Sequence, residues 1–302
     1  MAEKLWATLS NEWADAVATA GKCVVSVQGG RRYSSGIYWS DDVVVTVNHA
    51  LRHDEEIATI VSAEGATQAR IVGRDPGTDI AVIRLQHSMK VPSAKWGQAD
   101  KLRVGDWVLA VARTRRGNIV ASSGIVSGLM GAWRTWHGGR LDQFIRSDLT
   151  LYPGFSGGPL ISAQGEIIGL NTTGLHRSGV TIPAATIRSI VPALLEKGII
   201  ERPYLGLAFQ SVPIPESFRT GLGLKGDEGL LITRVEPASA AEKSGVLLGD
   251  LVVELDEQAS LSTELIQEIL SGRTAGDSMR IKLVRAGEIK EANIVLQARP
   301  PR

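Results

Sequence analysis

Between Cys23 and about Gly179 the apolar residues of this chain arrive as short runs: Val24–Val27, Val43–Val47, Thr78–Leu85, Trp107–Val111, Gly124–Leu129 and Glu166–Asn171. Val and Ile dominate these runs, and Gly, Asp, Asn or Ser closes them. Runs of this length, rich in β-branched residues and ended by turn formers, read as strands rather than helices. Many short strands at close intervals specify an all-β barrel or sandwich. Glycine points the same way, at 33 of 302 residues, above the usual ~7%.

Outside that stretch the period changes. Leu5, Leu9, Trp13 and Val17 recur every fourth residue, which predicts an amphipathic helix within residues 1–22. Ile187, Ile190, Val191, Leu194 and Leu195 predict a second helix, with Gly198 as its C-cap. Pro192 removes a backbone donor there, so a kink or two short helices are expected. Glu201–Pro203 reads as a linker, and 204–302 as one small unit of mixed strands and helices. In it, Ser239 and Glu242 form a capping-box pattern before Gly245, and Ser262 or Thr263 opens a helix carrying Leu265, Ile266, Ile269 and Leu270.

Charge and cysteine content exclude several classes. A net charge of +1 gives no excess for binding a polyanion, so nucleic acid is not expected as a partner. A single cysteine, Cys23, rules out an intramolecular disulfide framework. The first residues, MAEKLWATLSNEWADAVATAG, have neither the basic start nor the apolar centre of a signal peptide, and no window is apolar enough to span a membrane. The chain as it stands therefore reads as cytoplasmic, or as periplasmic if a leader has been removed.

The strongest local signal is Gly154-Phe155-Ser156-Gly157-Gly158-Pro159-Leu160. A serine flanked by glycines can be exposed on a tight loop whose backbone N–H groups converge on one point, as an oxyanion site requires. The same pattern also fits an ordinary Gly-rich turn. A serine nucleophile needs a base, and His49 follows the run Val43–Val47. The base needs an orienting carboxylate, and Asp79 stands at the mouth of another apolar run. The order His49, Asp79, Ser156 on a β background is the order found in chymotrypsin, and the three together are far more specific than any one alone.

With these motifs the chain from Val43 onward resembles the HtrA (DegP/DegS-like) family of trypsin-fold serine proteases with a PDZ domain. The resemblance rests on Thr46-Val47-Asn48-His49, on Gly73–Leu85 (GRDPGTDIAVIRL), on Leu102–Leu109 (LRVGDWVL) and on Gly154–Leu160. It implies a mostly β protein: a chymotrypsin-like double β-barrel at 23–200 followed by a PDZ domain at 204–302. Ser156 would then be the nucleophile, His49 the general base and acid, and Asp79 the orienter of His49. The N–H groups of Gly154 and Ser156, with Phe155 as a further candidate, would form the oxyanion hole. Neither a cofactor nor a metal is implied. His49 and His53 have zinc-helix spacing, but Ala50 stands where the HExxH pattern needs Glu.

Phe155 departs from the Asn usual in the family. It cannot pair with a freshly cut N-terminus, so activation by clipping is not expected. Its burial would contribute about 1.5–3 kcal/mol to anchoring the loop, in a competent or an inactive shape. Arg113–Asn118 (RTRRGN) also departs from the family pattern and reads as a solvated turn, while Trp133 and Trp136 read as barrel-loop packing. Thr150 stands where trypsin carries its specificity acid. With Leu151, Val180 and Thr181 it is expected to line a pocket for small or medium apolar residues. Tyr204-Leu205-Gly206-Leu207 resembles the carboxylate-binding loop of PDZ domains, with a peptide lying between it and the helix bearing Ile266.

These features imply a serine endopeptidase of protein quality control that cleaves unfolded or damaged polypeptides and binds C-terminal peptides at the PDZ domain. Family resemblance implies a homotrimer, with Trp6 and Trp13 as candidate contacts. The alternative is a catalytically silent peptide-binding protein or chaperone on the same fold.

Overall fold

The computed structural model describes residues 2–298 except Arg31, Met89, Lys90, Ser93, Arg177 and Ser260. The chain forms two compact units, Met1–Ile200 and Glu201–Arg302. In the first, helix α1 (Ala2–Gly21) leads into β1 (Val24–Gly29), β2 (Arg32–Ser40), β3 (Val43–Val47), β4 (Ile57–Ser62), β5 (Gly65–Asp75) and β6 (Ile80–Leu85). These close into an antiparallel barrel in the order β1-β2-β3-β6-β5-β4. There follow β7 (Trp107–Arg113), β8 (Ile119–Met130), the short hairpin β9 (Trp133–Arg134) and β10 (Arg140–Leu141), then β11 (Phe144–Ser147), β12 (Pro159–Ser162), β13 (Ile167–Thr172) and β14 (Val180–Pro183). Six of them form a second closed barrel, β11-β14-β13-β12-β7-β8.

Every one of the short runs predicted as strands lies on a barrel strand, in whole or in large part. β3 shows why a run of Val and Thr can do this: all five of its residues are buried. A strand sheltered on both faces has no place for polar alternation. One core joins the interior of the first barrel to residues of the second, including Ile161, Leu170, Val180 and Ile182. A separate cluster around Val108, Ile145, Leu160 and Phe155 lies within the second barrel's strands and loops.

Helix α2 (Ala184–Lys197) is continuous through Pro192, so the division into two short helices expected there as one alternative does not form. Val191 beside the proline, and Ile187 and Leu194 one turn away on either side, are fully buried. Both halves are therefore anchored to the core, which offsets one missing N–H. Gly198 caps the helix in the left-handed conformation, as expected. On α1, Trp13 packs edge-on against Trp107 with ring centroids 4.9 Å apart. Trp13 is thus committed to its own unit, whereas Trp6 is 67% exposed.

The second unit contains β15 (Pro203–Tyr204), β16 (Leu207–Pro213), α3 (Glu216–Leu222), β17 (Glu228–Val235), α4 (Ala240–Lys243), β18 (Leu251–Leu255), β19 (Gln258–Ala259), α5 (Thr263–Ser271), β20 (Ser278–Arg285), β21 (Glu288–Val295) and β22 (Gln297–Ala298). Pro203, read from sequence as linker, opens β15, which pairs with β22. The main sheet runs β16-β17-β18-β20-β21, with β19 paired to β18. Ser239 caps α4 and Ser262 caps α5, each accepting from the N–H three residues on. Its core is distinct, built on Leu230, Val252, Ile266, Ile281 and Ile294.

Candidate active site

His49 follows β3 and Asp79 immediately precedes β6, and those two strands pair in the first barrel. Their adjacency brings together residues thirty positions apart. His49 Nδ1 lies 2.7 Å from Asp79 Oδ2, and the His49 backbone N–H donates to Asp79 Oδ1 at 2.8 Å. A ring nitrogen facing a carboxylate carries the proton, which leaves the Nε2 lone pair available as a base. Asp79 itself has φ 60, a left-handed conformation that Asp tolerates better than most residues. The turn before it is held by Asp75, which accepts from the Gly77 N–H and the Thr78 hydroxyl, and by Thr135, whose hydroxyl donates to the Gly77 carbonyl at 2.7 Å.

The carboxylate has one further partner. Thr172, the last residue of β13, donates its hydroxyl to Asp79 Oδ2 at 2.5 Å. The site thus draws on both barrels, since β13 belongs to the second. Just beyond, a Cβ on Gly174 would stand 2.5 Å from His49 Nδ1 and 2.7 Å from Asp79 Oδ2. Only glycine lets this segment cross the His–Asp pair so closely. Sequence reasoning missed Thr172 and Gly174. The sole hint was a run of small residues, Asn171-Thr172-Thr173-Gly174, ending an apolar strand.

Ser156 is buried on the loop before β12, and that loop is tied down carbonyl by carbonyl. The Ser156 carbonyl accepts from the Ser35 N–H at 2.8 Å, and the Gly154 carbonyl from the Ser35 hydroxyl at 2.8 Å. The Gly157 N–H donates to Asn171 O. Among the described residues the N–H groups of Gly154 and Ser156 have no backbone acceptor, so both remain available to an anion. Phe155 is corrected on this point: its N–H donates to Tyr152 O at 3.0 Å, so it cannot serve as an oxyanion donor. Its ring is 3% exposed, packed edge-on against Tyr152 and into the second barrel's apolar cluster.

The Ser156 hydroxyl rests against Thr173. Its Oγ lies 3.2 Å from Thr173 Oγ1 and accepts from the Thr173 N–H at 3.3 Å. These are its hydrogen-bond partners among the described residues, and His49 is not one of them.

The residues expected to form a specificity pocket do not all converge. Thr150 is exposed. Leu151 packs beside Gly179, whose Cβ would lie 2.6 Å from Leu151 Cδ1. Thr181 is buried and donates to Asn171 Oδ1 at 2.9 Å. Val180 alternates with Thr181 along β14 and belongs to the large apolar core with Ile182, so the two cannot share one pocket wall. The reading of Arg113–Asn118 as a solvated turn is corrected for Arg113, while Arg115 and Arg116 are exposed. Arg113 is 5% exposed, and its guanidinium donates to the carbonyls of Val24, Gly117 and Gly21. Burial lowers its pKa from the ordinary arginine value. Trp133 packs edge-on against Phe144, while Trp136 is 92% exposed.

In the second unit β16 is an edge strand, with one side unpaired within the sheet. The preceding loop has its carbonyls engaged: Leu205 O accepts from the Ala241 N–H and Gly206 O from the Glu236 N–H. Peptide planarity turns the N–H groups of Gly206 and Leu207 the opposite way. Tyr204 pairs with Gln297, and Leu205 is buried. Ile266 is 3% exposed and lies in the core. It is therefore not a groove-lining residue; Leu265 and Ile269 on the same helix are only partly buried.

Residues 34–170 match the model of the trypsin-like peptidase domain, and 203–296 that of the PDZ domain. A protein of Marinomonas sp. (strain MWYL1) named "probable periplasmic serine endoprotease DegP-like" is 33% identical over 90% of this chain. A Bartonella henselae protein of the same name is 30% identical over 89% of it. The structure of the HtrA-type protease AlgW with a tripeptide matches with a TM-score of 0.70 and 25% identity, over 96% of this chain and 98% of that one. The chain carries a trypsin-like peptidase domain and a PDZ domain, and over most of its length it is similar to HtrA-type proteases. The serine endoprotease from Yersinia pestis shares the fold, with a TM-score of 0.71 and 23% identity over 95% of this chain and 98% of its own. The chain spans 59% and 54% of the lengths of the two curated relatives.

The comparisons overturn one expectation. The relatives carry the word periplasmic in their names, which displaces the cytoplasmic reading of the N-terminal sequence. The fold itself carries no mark of compartment: Cys23 has no second cysteine to pair with in any redox environment. No helix among the described residues is long and apolar enough to cross a membrane.

Proposed function

We propose that this protein is a periplasmic serine endopeptidase that cleaves unfolded or damaged polypeptides, with residues 23–200 as the catalytic unit and 204–302 as a unit that binds C-terminal peptides. The observation that carries the reading is the His49–Asp79 pair, made at two hydrogen bonds, in a chain where the N–H groups of Ser156 and of Gly154 two residues before it are left without backbone acceptors.

In this mechanism Ser156 Oγ attacks the scissile carbonyl while His49 Nε2 takes its proton. Asp79 keeps Nδ1–H in place and stabilises the imidazolium without itself being protonated. The oxyanion of the tetrahedral intermediate accepts from the Gly154 and Ser156 N–H groups. Its collapse expels the amine, which leaves with the proton from His49. Water then attacks the acyl-enzyme while His49 takes its proton, and His49 returns that proton to Ser156 Oγ as the second tetrahedral intermediate collapses and the carboxylate product departs. A donor removed from such a site costs on the order of a hundredfold or more in kcat.

The peptide-binding reading rests on the free edge of β16 beside α5, where an extended peptide would add as a strand and set its carboxylate against the Gly206 and Leu207 N–H groups. The unit forms a homotrimer in this proposal, and exposed Trp6 on α1 supplies apolar surface for it. Sedimentation that gives only monomer at micromolar concentration would count against the trimer.

A second reading, a silent chaperone, is favoured by the contact of Ser156 with Thr173 rather than His49. Degradation of unfolded β-casein, with Ser156→Ala as control and with or without an apolar C-terminal peptide, separates the two. Loss of casein only when Ser156 is present supports the protease, and stimulation by the peptide supports control by the second unit. Casein that persists under both conditions, with the chain folded, supports the chaperone.

A further inference from the structure

Three peptide planes of the nucleophile loop differ in how they are held. The Gly154–Phe155 plane is fixed at both ends, its carbonyl by the Ser35 hydroxyl and its N–H by Tyr152 O. The Ser156–Gly157 plane is likewise fixed, its carbonyl by the Ser35 N–H and its N–H by Asn171 O. The Ser35 hydroxyl accepts in turn from the Arg113 N–H at 2.9 Å, so this anchor is part of the scaffold. The Pro153–Gly154 plane has a single tie. Its carbonyl accepts from the Tyr33 hydroxyl at 3.1 Å, and its N–H, from Gly154, has no backbone acceptor among the described residues.

A trans peptide is rigid, and its C=O and N–H point in opposite directions. Whatever fixes the Pro153 carbonyl therefore aims the Gly154 N–H. Backbone torsion does not do so by itself, because Gly154 sits at φ 91, a region where glycine moves without steric penalty. The ring of Tyr33 also lies directly on this glycine: a Cβ there would stand 2.4 Å from Tyr33 Cε2. On its other contact the ring carries the Arg115 guanidinium, 5.5 Å from the centroid, and the Arg115 carbonyl accepts from the Gln28 side chain at 2.8 Å. A cation over a phenol ring is an attractive contact.

We propose that Tyr33 is a positioning residue for proteolysis: its hydroxyl holds the Pro153 carbonyl so that the Gly154 N–H faces the oxyanion, and Arg115 holds the Tyr33 ring in that pose. The proposal rests on the proteolytic reading of Ser156. Tyr33 touches no reacting atom and acts through one peptide plane. It stabilises the tetrahedral intermediate more than the bound substrate, since the negative oxygen exists only in the former.

The test compares the wild-type chain with Tyr33→Phe, which keeps the ring over Gly154 and removes only the hydroxyl. In hydrolysis of an apolar chromogenic peptide, kcat falls about 10- to 100-fold, a part of the loss from deleting an oxyanion donor outright. KM stays within twofold, the affinity for a peptide boronate falls in parallel with kcat, and the melting temperature is unchanged. Arg115→Ala gives a smaller loss in the same pattern. Wild-type kcat in Tyr33→Phe overturns the proposal, as does a joint shift of kcat, KM and melting temperature. The amide resonance of Gly154 in the nitrogen-15-labelled full chain gives a readout without turnover. It moves in Tyr33→Phe, and a resonance that stays in place overturns the proposal even if the wild-type chain cleaves nothing. Absence of Ser156-dependent cleavage by the wild type, by contrast, overturns the proteolytic reading.

Discussion

The Ser156 hydroxyl is paired with Thr173: Oγ to Oγ1 is 3.2 Å, and the Thr173 N–H donates to the same oxygen. In the proposed mechanism Ser156 must leave this contact before it can give its proton to His49. The hydroxyl contact contributes about 1 kcal/mol, the net value of a neutral hydrogen bond, which corresponds to roughly a fivefold bias. Thr173→Val removes the side-chain half of it. Peptide hydrolysis by this variant is expected to rise about two- to fivefold, read as kcat/KM on a short chromogenic substrate. A tenfold fall would assign the Thr173 hydroxyl to the reaction itself.

The third partner of the Asp79 carboxylate makes a separate prediction. Thr172 donates to Asp79 Oδ2 from the second barrel. Hydrogen bonds to charged groups contribute about 1.5–3 kcal/mol. Thr172→Val should therefore lower kcat about tenfold or more, while Thr172→Ser, which retains the hydroxyl, restores most of it. Equal activity in both variants would show that the His49 contacts alone orient Asp79.

Gly174 tests the same region by steric means. A methyl group there would meet His49 Nδ1 at 2.5 Å, and neither His49 nor Asp79 can retreat while both their bonds persist. Displacing a catalytic group by about 1 Å costs about a hundredfold, so Gly174→Ala is expected to lose at least that factor in kcat and still fold. A crystal structure of the variant should show the imidazole moved off Asp79.

These residues mark the limit of what the sequence discloses. His49, Asp79 and Ser156 could be singled out as candidates because each sits in a local motif whose turn formers and apolar run lie next to it in the chain, and the pairing of His49 with Asp79 is seen in the structure. The double barrel was legible for the same reason, since strands such as Val43–Val47 are apolar on both faces. Tyr33, Ser35 and Thr172 carry no local signature. Their roles arise from strand register: β2 lies beside the nucleophile loop and β13 ends at the carboxylate, relationships made by residues about 90 to 120 positions apart. Arg113 misled for a related reason. In sequence it heads a charged turn, but the end of α1, strand β1 and the turn itself supply three carbonyls in place of water. Ile266 shared the helical stripe of Leu265 and Ile269, and periodicity alone does not separate a core-facing position from a groove-facing one.

Cys23 provides a prediction about the first unit. Its thiol is buried and donates to Ala20 O at 3.1 Å, and burial raises its pKa to about 11. The thiolate is the reactive form, so a maleimide at pH 7.5 should label the native chain negligibly over hours and the denatured chain within minutes. Rapid labelling of native protein would mean that the junction of α1 and β1 opens locally.

The second unit should depend on acid through Asp250. Its carboxylate is buried, accepts two bonds from Arg285 at 2.7 Å, and accepts from the Leu247 N–H at 2.8 Å. Burial alone would raise its pKa, but the Arg285 hydrogen bonds, the Leu247 bond and the guanidinium charge together hold it below the ordinary aspartate value. A carboxyl whose folded pKa is depressed contributes stability that is fully present above its unfolded pKa, about 4, and is lost as pH falls through the folded pKa. Exchange of the amides at 245–250 in the full chain, converted to opening free energies, should therefore show no loss of protection between pH 7 and 5 and a decline below about 4. Asp250→Asn should remove that acid decline and destabilise the unit by about 1.5 kcal/mol at pH 7, the low end for hydrogen bonds to a charged group, because water can reach the partly exposed Arg285 left behind. If the variant keeps wild-type protection at pH 7, the ion pair is a surface ornament of the turn rather than its clasp.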